Sequence, residues 1–200
     1  MDDHDISKRF GKLTPDEQQL FKHRHSLSHI MAQAVLAYDP QASLGFGPPV
    51  ENGFYYDFDL SKPITDEILP EIEKKMRQIL NAKQQFVRHE LDFGGSVSKL
   101  KSLNQNYKIE QVESLKEKGV NTFSFYENGP FIDLCEGPHC EFSNEIPPDS
   151  FKLDSIAGAY WKGSEKNKML TRIYGLAFLT AKELKEFTAH REKMILNDHR

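Results

Sequence analysis

Residues 122–140 read TFSFYENGPFIDLCEGPHC, and this stretch decides the fold class. Two short runs rich in aromatic and branched side chains, at 123–126 and 131–134, are separated by Asn128, Gly129 and Pro130. Such runs suit a pleated, half-buried surface, and the intervening residues suit turns. The same alternation continues in Phe151-Lys152-Leu153, in Ala157-Gly158-Ala159-Tyr160-Trp161 and from Met169 to Gly175. The reading is an antiparallel sheet across residues 122–180. The end of the quoted stretch carries chemistry. Gly137-Pro138 bars a helix, so Cys135 to His139 forms a tight turn at a strand end, and both side chains can converge on one point. Asp133 lies two residues before Cys135 and shares its face of the strand.

Working outward, the N-terminal half is helical. Thr14-Pro15-Asp16-Glu17 reads as a helix start with Thr as N-cap and Pro at the first helical position. Apolar residues at Leu20, Phe21, Leu27, Ile30, Met31, Ala34 and Val35 then keep a helical period until Asp39-Pro40, with or without a break near Arg24. Gly45, Gly47, Pro48 and Pro49 mark a turn-rich segment, and residues 53–60 alternate like a strand. The stripe Ile68, Leu69, Ile72, Met76, Ile79 and Leu80 predicts a helix over 65–83 capped by Thr65. A strand is expected at 86–91, and short helices at 96–103 and 108–117, the second ending at Gly119. Thr180 caps a final helix to about Asn197, with Leu184, Phe187 and Met194 along one side; residues 1–14 read as polar and loose. The fold class is α+β, an antiparallel sheet covered by helices.

Composition bounds the rest. Two hundred residues with 38% apolar side chains, 14 Phe and 7 Tyr suffice for one aromatic-rich core. A net charge of −4 argues against nucleic-acid binding through bulk charge, though not against a local basic patch. The two cysteines, Cys135 and Cys140, share one loop and make no secreted disulfide framework, so a reducing cytoplasm is expected. The start Met-Asp-Asp-His-Asp is not a signal peptide, and no apolar run nears the roughly 18 residues of a membrane span.

The chemistry divides between two distant motifs. His25 and His29 stand four apart in the first helix and project from one face. They could hold a metal or flank a water, or be two surface histidines; Ser26 follows His25, so this is not the H-E-x-x-H protease signature. Together with Cys135 and His139 they form an inventory of three imidazoles and one thiol, which favours a shared site. Cys140 reads as a buried or incidental thiol, and nothing beside Lys108 distinguishes it from a solvated lysine. Lys162, Lys166, Lys168 and Arg172 surround Tyr160 and Trp161, a composition suited to a phosphate backbone or an unstacked base, or to a solvated hairpin tip.

The ordered strings His25-Ser26-Leu27-Ser28-His29, Gly47-Pro48, Asn52-Gly53-Phe54-Tyr55-Tyr56-Asp57, Asp133-Leu134-Cys135-Glu136-Gly137-Pro138-His139, Ala157-Gly158-Ala159-Tyr160-Trp161 and Asn167 to Gly175 resemble the editing domain of bacterial-type threonyl-tRNA synthetases. The resemblance covers about residues 23–200, and the quartet also occurs in related alanyl-tRNA editing domains. It implies hydrolysis of seryl-tRNA wrongly made on threonine tRNA, at the ester of the terminal adenosine. A first site that accepts threonine discriminates poorly against serine, because one methyl is worth only about 1–3 kcal/mol. It further implies that His25, His29, Cys135 and His139 form the pocket. Lys108 would help to activate or position water with His25, Asp133 would hold the serine amine, and Gly47 and Tyr56 would line the site. No metal is expected to be required, although the quartet could hold zinc tetrahedrally, as alanyl-type relatives do.

The chain also departs from the family's pattern. Asn106 replaces a serine near Lys108, and Glu136 stands where a basic residue is frequent. A small ubiquitin-like N-terminal domain and the aminoacylation core, the part that would use ATP and magnesium, are both missing. The expected organisation is a tail and helix start at 1–22, an editing domain at 23–180 and a linker helix at 181–200. The helical half of that domain reaches about 120, and its β-rich half is 121–180. The chain is expected to be a piece of a synthetase, dimeric at full length, with a free-standing protein as the alternative. Expected partners are threonine tRNA, through its seryl-adenosine end, and the remainder of the synthetase, with no membrane. The competing functions are a zinc-dependent hydrolase of small esters or amides and a non-catalytic tRNA-binding module.

Overall fold

The structure is a computed structural model, and it describes residues 9–199. The expectation of a loose start therefore lies, for residues 1–8, outside the described residues.

Helix α1 (Pro15–Tyr38) is the central element and runs without a break past Arg24. The Thr14 hydroxyl accepts the Glu17 N–H at 3.2 Å, and Asp16 and Glu17 complement the positive end of the helix dipole. From His23 to Val35 the helix is buried on almost every side, including four polar positions between His25 and His29. Asp39 ends it. Its carboxylate accepts the N–H groups of Gln41, Ser61 and Lys62 and the Ser61 hydroxyl, which pins the helix end to the segment around Ser61 and Lys62.

Burial alone would raise the pKa of Asp39; the hydrogen bonds from Ser61, Lys62 and Gln41 outweigh it and hold the carboxylate below its ordinary value. A depressed carboxylate stabilises the fold above its unfolded pKa and loses that contribution as pH falls through the folded one. Asp39→Ala is therefore expected to lower the melting temperature fully at pH 6. The gap to the parent chain should narrow below about pH 4. A gap independent of pH would show that the carboxylate charge has no part in holding the helix end.

Two antiparallel sheets flank α1. In the larger, β3 (Gly53–Asp59) pairs along one edge with β1 (Ser43–Leu44) and β2 (Pro49–Val50). Its other edge pairs with β8 (Met169–Ala177), which pairs in turn with β7 (Phe151–Tyr160). In the smaller, β5 (Thr122–Asn128) lies between β4 (Val87–Asp92) and β6 (Phe131–Leu134). The strands expected in one sheet thus divide between two, because pairing partners lie far apart in sequence and alternation does not reveal them. The α+β class stands.

The main core gathers Leu27, Ile30 and Met31 of α1, Phe54, Tyr56 and Phe58 of β3, and Ile72, Met76 and Leu80 of helix α2 (Leu69–Asn81). A second core joins Phe123, Phe125 and Leu134 to Leu100 of α3 (Phe93–Ser102) and Val112 of α4 (Asn106–Glu117). Two expectations need correction. Thr65 does not cap α2; its carbonyl accepts the Ile68 N–H in a turn, and the helix begins at Leu69. Pro70 disfavours helical backbone before it and is tolerated only in the first turn, so it sets this start. In the last helix, α5 (Ala181–Asp198), Leu184 is buried and Phe187 packs on Phe178, but Met194 is 55% exposed. Among the described residues no helix is long and apolar enough to cross a membrane.

Candidate functional site

The site forms where α1 passes the end of β6. Phe125 pairs with Leu134, and both point into the second core. The alternate residues, Phe131, Asp133 and then Cys135, face α1 instead. The Cys135 N–H donates to the Ser124 carbonyl, so the ladder extends one residue past β6 before the chain turns through Gly137 and Pro138. Gly137 has φ 79°, a left-handed conformation that favours glycine.

This turn brings the two distant motifs together. Cys135 Sγ lies 3.2 Å from His25 Nε2 and 3.3 Å from His139 Nε2. The His25 and His139 rings stack at 4.1 Å, and the rings of His29 and His139 stand 4.3 Å apart. One donor atom from each of His25, His29, Cys135 and His139 fits within 4.8 Å of all the others. Two of the three outward nitrogens are anchored. His25 Nδ1 donates to the Pro138 carbonyl at 3.0 Å, and His139 Nδ1 lies 3.0 Å from Ser26 Oγ. His29 Nδ1 is buried with no hydrogen-bond partner among the described residues. Phe86 stacks on His139 at 5.0 Å, closing that side.

A buried charge pair adjoins the quartet. Lys108 Nζ lies 3.2 Å from Asp133 Oδ1, with the two side chains 4% and 2% exposed. The Tyr56 hydroxyl donates to Asp133 Oδ2, and His29 Nε2 stands 3.9 Å from the same oxygen. Lys108 also sits over the rings of Tyr56 and Phe46, at 5.4 and 5.9 Å. All of the expected site residues therefore lie in or beside one cluster. Asp133 is enclosed rather than a free strand-end carboxylate: Lys108 engages one of its oxygens and Tyr56 the other.

Electrostatics follow from this burial. Burial pushes His25 down to about 4, with the Pro138 carbonyl opposing and Lys108 adding to the shift. Burial also holds His29 and His139 well below their ordinary values; repulsion between the rings, were they protonated, adds to both shifts, and Lys108 adds to that of His29. The three rings are thus neutral at physiological pH and offer lone pairs. Burial raises Asp133, against the pull of Lys108 and the Tyr56 hydroxyl, and raises the Tyr56 phenol far above its ordinary range. Cys140, buried and pushed up to about 12 by desolvation, is an unreactive thiol.

Gly47 has a steric role. The loop between β1 and β2 bulges along β3, with Gly45 N–H donating to Asp57 O and Asp57 N–H to Phe46 O. Ser28 Oγ reaches the Gly47 carbonyl at 2.7 Å. A Cβ on Gly47 would fall inside the Tyr56 ring, which is 1% exposed and has nowhere to turn. Gly47→Ala is expected to cost about 1–3 kcal/mol in denaturant unfolding, as overpacking does. It should also displace the Tyr56 hydroxyl from Asp133. A neutral effect would mean that the loop relaxes freely.

The basic hairpin is organised differently from its sequence reading. Trp161 is buried, stacks on Phe46 at 4.9 Å and donates to Glu110 at 2.9 Å. Arg172 pairs with Asp57 at 2.7 and 3.0 Å, Lys168 with Asp59 at 2.8 Å, and Lys162 lies 3.9 Å from Glu110. Three of the four cations are thus matched by carboxylates, which weakens the reading of a phosphate cradle. Two surface clefts of about 340 Å³, one between α1 and α2 and one beside Asp59 and Lys168, do not include the quartet. Within the quartet Cys135 is the half-buried member and the other three are buried, so small molecules would approach on its side.

Comparison with known proteins agrees with this geometry. The family model for the threonyl and alanyl tRNA synthetase second additional domain matches residues 123–174. A threonine–tRNA ligase of Citrifermentans bemidjiense is 48% identical over 177 residues, 88% of this chain and 27% of that protein. One from Borreliella burgdorferi strain ZS7 is 44% identical over 184 residues, 92% of this chain and 31% of that protein. One from Gloeobacter violaceus is 44% identical over 185 residues, 92% of this chain and 29% of that protein. The chain thus spans about three tenths of the length of the curated relatives it matches.

Proposed function

Because the chain belongs to the second-additional-domain family of threonyl and alanyl tRNA synthetases, on its threonyl side, we propose that it hydrolyses seryl-tRNA mischarged on threonine tRNA. In this reading it is the editing unit, residues 23–180, of a threonine–tRNA ligase, and 181–200 are the linker helix toward an aminoacylation core that uses ATP and magnesium. The observation that carries it is the convergence of four nucleophilic or basic side chains beside a buried Lys108–Asp133 pair.

The chemistry asked of these residues is ester cleavage. Water adds to the seryl carbonyl carbon, and the bond from that carbon to the terminal ribose oxygen breaks. The proton lost by water goes to His25 Nε2, and His25 then hands it to the departing ribose oxygen. A neutral His25 is suited to this, since its Nδ1 proton is committed to Pro138 and its Nε2 presents a lone pair on the side of Cys135, the half-buried member of the quartet. Lys108 positions water and supplies positive charge near the carbonyl oxygen. Asp133 accepts from the serine amine, each of its oxygens keeping a second lone pair beside Tyr56 and Lys108.

The quartet also fits zinc. Three nitrogens and one sulfur within 4.8 Å match a tetrahedral donor set, and the hydrogen bond from His25 Nδ1 to Pro138 is of the kind that orients a metal-bound imidazole. Zinc held by His25, His29, Cys135 and His139 would supply Lewis acidity to a bound oxygen. That donor set favours the second reading, a zinc-dependent hydrolase of small esters.

The deciding assay incubates the purified chain with seryl- and threonyl-charged threonine tRNA, with and without a chelator. Loss of the serine ester alone, in both conditions, is the expected result. Sensitivity to the chelator would move the site to the zinc class. Loss of neither ester, even with a threonine–tRNA ligase core added in trans, would defeat the editing reading.

A further inference from the structure

We propose that Ser26 is a positioning residue that fixes His139 in the tautomer opposite to that of His25, giving the site one proton-donating and one proton-accepting imidazole. Its mechanistic consequence rests on the hydrolytic reading above; its geometry does not. Ser26 is fully buried on α1, between the two motif histidines. Its Oγ lies 3.0 Å from the Cys140 backbone nitrogen and 3.0 Å from His139 Nδ1. An amide N–H can only donate, so it occupies a lone pair of the hydroxyl oxygen. The Cys140 thiol also lies against this hydroxyl, but its sulfur is a weaker acceptor than an imidazole nitrogen. The hydroxyl proton is then directed to His139 Nδ1. A neutral imidazole that accepts at Nδ1 carries its proton on Nε2.

His25 is fixed the other way. Its Nδ1 faces the Pro138 carbonyl at 3.0 Å, and a carbonyl only accepts. Nδ1 therefore holds the proton, and Nε2 presents a lone pair. Both Nε2 atoms point at Cys135 Sγ, at 3.2 and 3.3 Å. The sulfur meets an N–H from His139 and a lone pair from His25, so its own proton turns toward His25. The hydrogen bonds run in one direction, from Cys140 N–H through Ser26, His139, Cys135 and His25 to the Pro138 carbonyl. On the accepting side, His25 Nε2 can take a proton from water. On the donating side, His139 Nε2–H can serve an oxygen that gains negative charge. Ser26 touches neither reactant; it acts through His139.

The test reads the tautomers directly. Long-range proton–nitrogen spectra of the 15N-labelled chain, at neutral pH with a chelator, should show His25 protonated at Nδ1 and His139 at Nε2. In Ser26→Ala, His139 should shift toward the Nδ1–H form, and Ser26→Thr, which keeps the hydroxyl, should return it. A parent chain with His139 protonated at Nδ1 overturns the proposal, as does an unchanged ring in Ser26→Ala. Should Ser26→Ala fail to fold, the parent spectrum alone decides. On seryl-tRNA, Ser26→Ala should lower kcat by about 10-fold with KM unchanged, in the range for residues that orient an active imidazole. An unchanged kcat would remove Ser26 from the reaction. A parent chain that cleaves no seryl ester would instead sink the functional reading and leave the tautomer assignment standing.

Discussion

Lys108→Met is expected to lower the unfolding free energy by about 3–5 kcal/mol at pH 7 and to abolish cleavage of the serine ester. The substitution keeps most of the length of the side chain and removes its ammonium group. It leaves the Asp133 carboxylate, 2% exposed, without the cation that now stands 3.2 Å away. Burial already raises the pKa of Asp133 against the pull of Lys108, and loss of Lys108 raises it further. A carboxyl with a raised folded pKa binds protons more tightly folded than unfolded, so stability falls as pH rises through that interval. The deficit of Lys108→Met should therefore be largest near pH 7 and shrink toward pH 4. Urea unfolding at both pH values measures it. Lys108→Met combined with Asp133→Leu should recover much of the stability without recovering cleavage, because a buried pair replaced by apolar groups costs little. A single variant as stable as the parent would mean that the pair is solvated in the working protein.

His25→Ala should reduce cleavage of seryl-tRNA by about 10²–10⁴-fold, the usual contribution of a positioned base. The fold should survive, since the ring lies at the edge of the main core rather than within it and its one backbone bond is to Pro138. Single-turnover hydrolysis, with circular dichroism as the control for folding, separates the two effects. His25→Asn, which can keep a donor toward Pro138 but has no basic lone pair, should be as slow as His25→Ala. An unchanged rate in either variant would take the proton-accepting role away from His25.

Much of this was legible along the chain because it is written locally. Thr14-Pro15 and Asp39-Pro40 bracket α1, and the helical spacing of His25 and His29 puts them on one face. The two-residue period of β6 placed Asp133 and Cys135 on one side, and the structure keeps them there. What was not legible depends on distant partners. Nothing around Lys108 distinguishes it from a surface lysine, and only the approach of Asp133 and Tyr56 explains its burial. The division of the strands into two sheets rests on pairings such as Tyr56 with Ile173, more than a hundred residues apart in the chain. Pro70 did carry a local signal for the late start of α2, but the apolar stripe ran through it and concealed it. Ser26 reads as filler between two histidines until Cys140 and His139 are seen to meet at its oxygen.

The bond from His25 to Cys135 joins residues 110 positions apart, so neither half of the chain owns a complete site. The exposed turn at Gly119 separates the part that supplies His25, His29 and Lys108 from the part that supplies Asp133, Cys135 and His139. Under the proposed function, cleavage of the serine ester would therefore be a coincidence signal: it would report that both halves have found each other in register. A polypeptide emerging from the ribosome would stay hydrolytically silent until its second half had docked, and correctly or wrongly charged tRNA nearby would be safe from it until then. The same division makes the protein a natural two-piece reporter, in which recovered hydrolysis measures reassociation of the fragments.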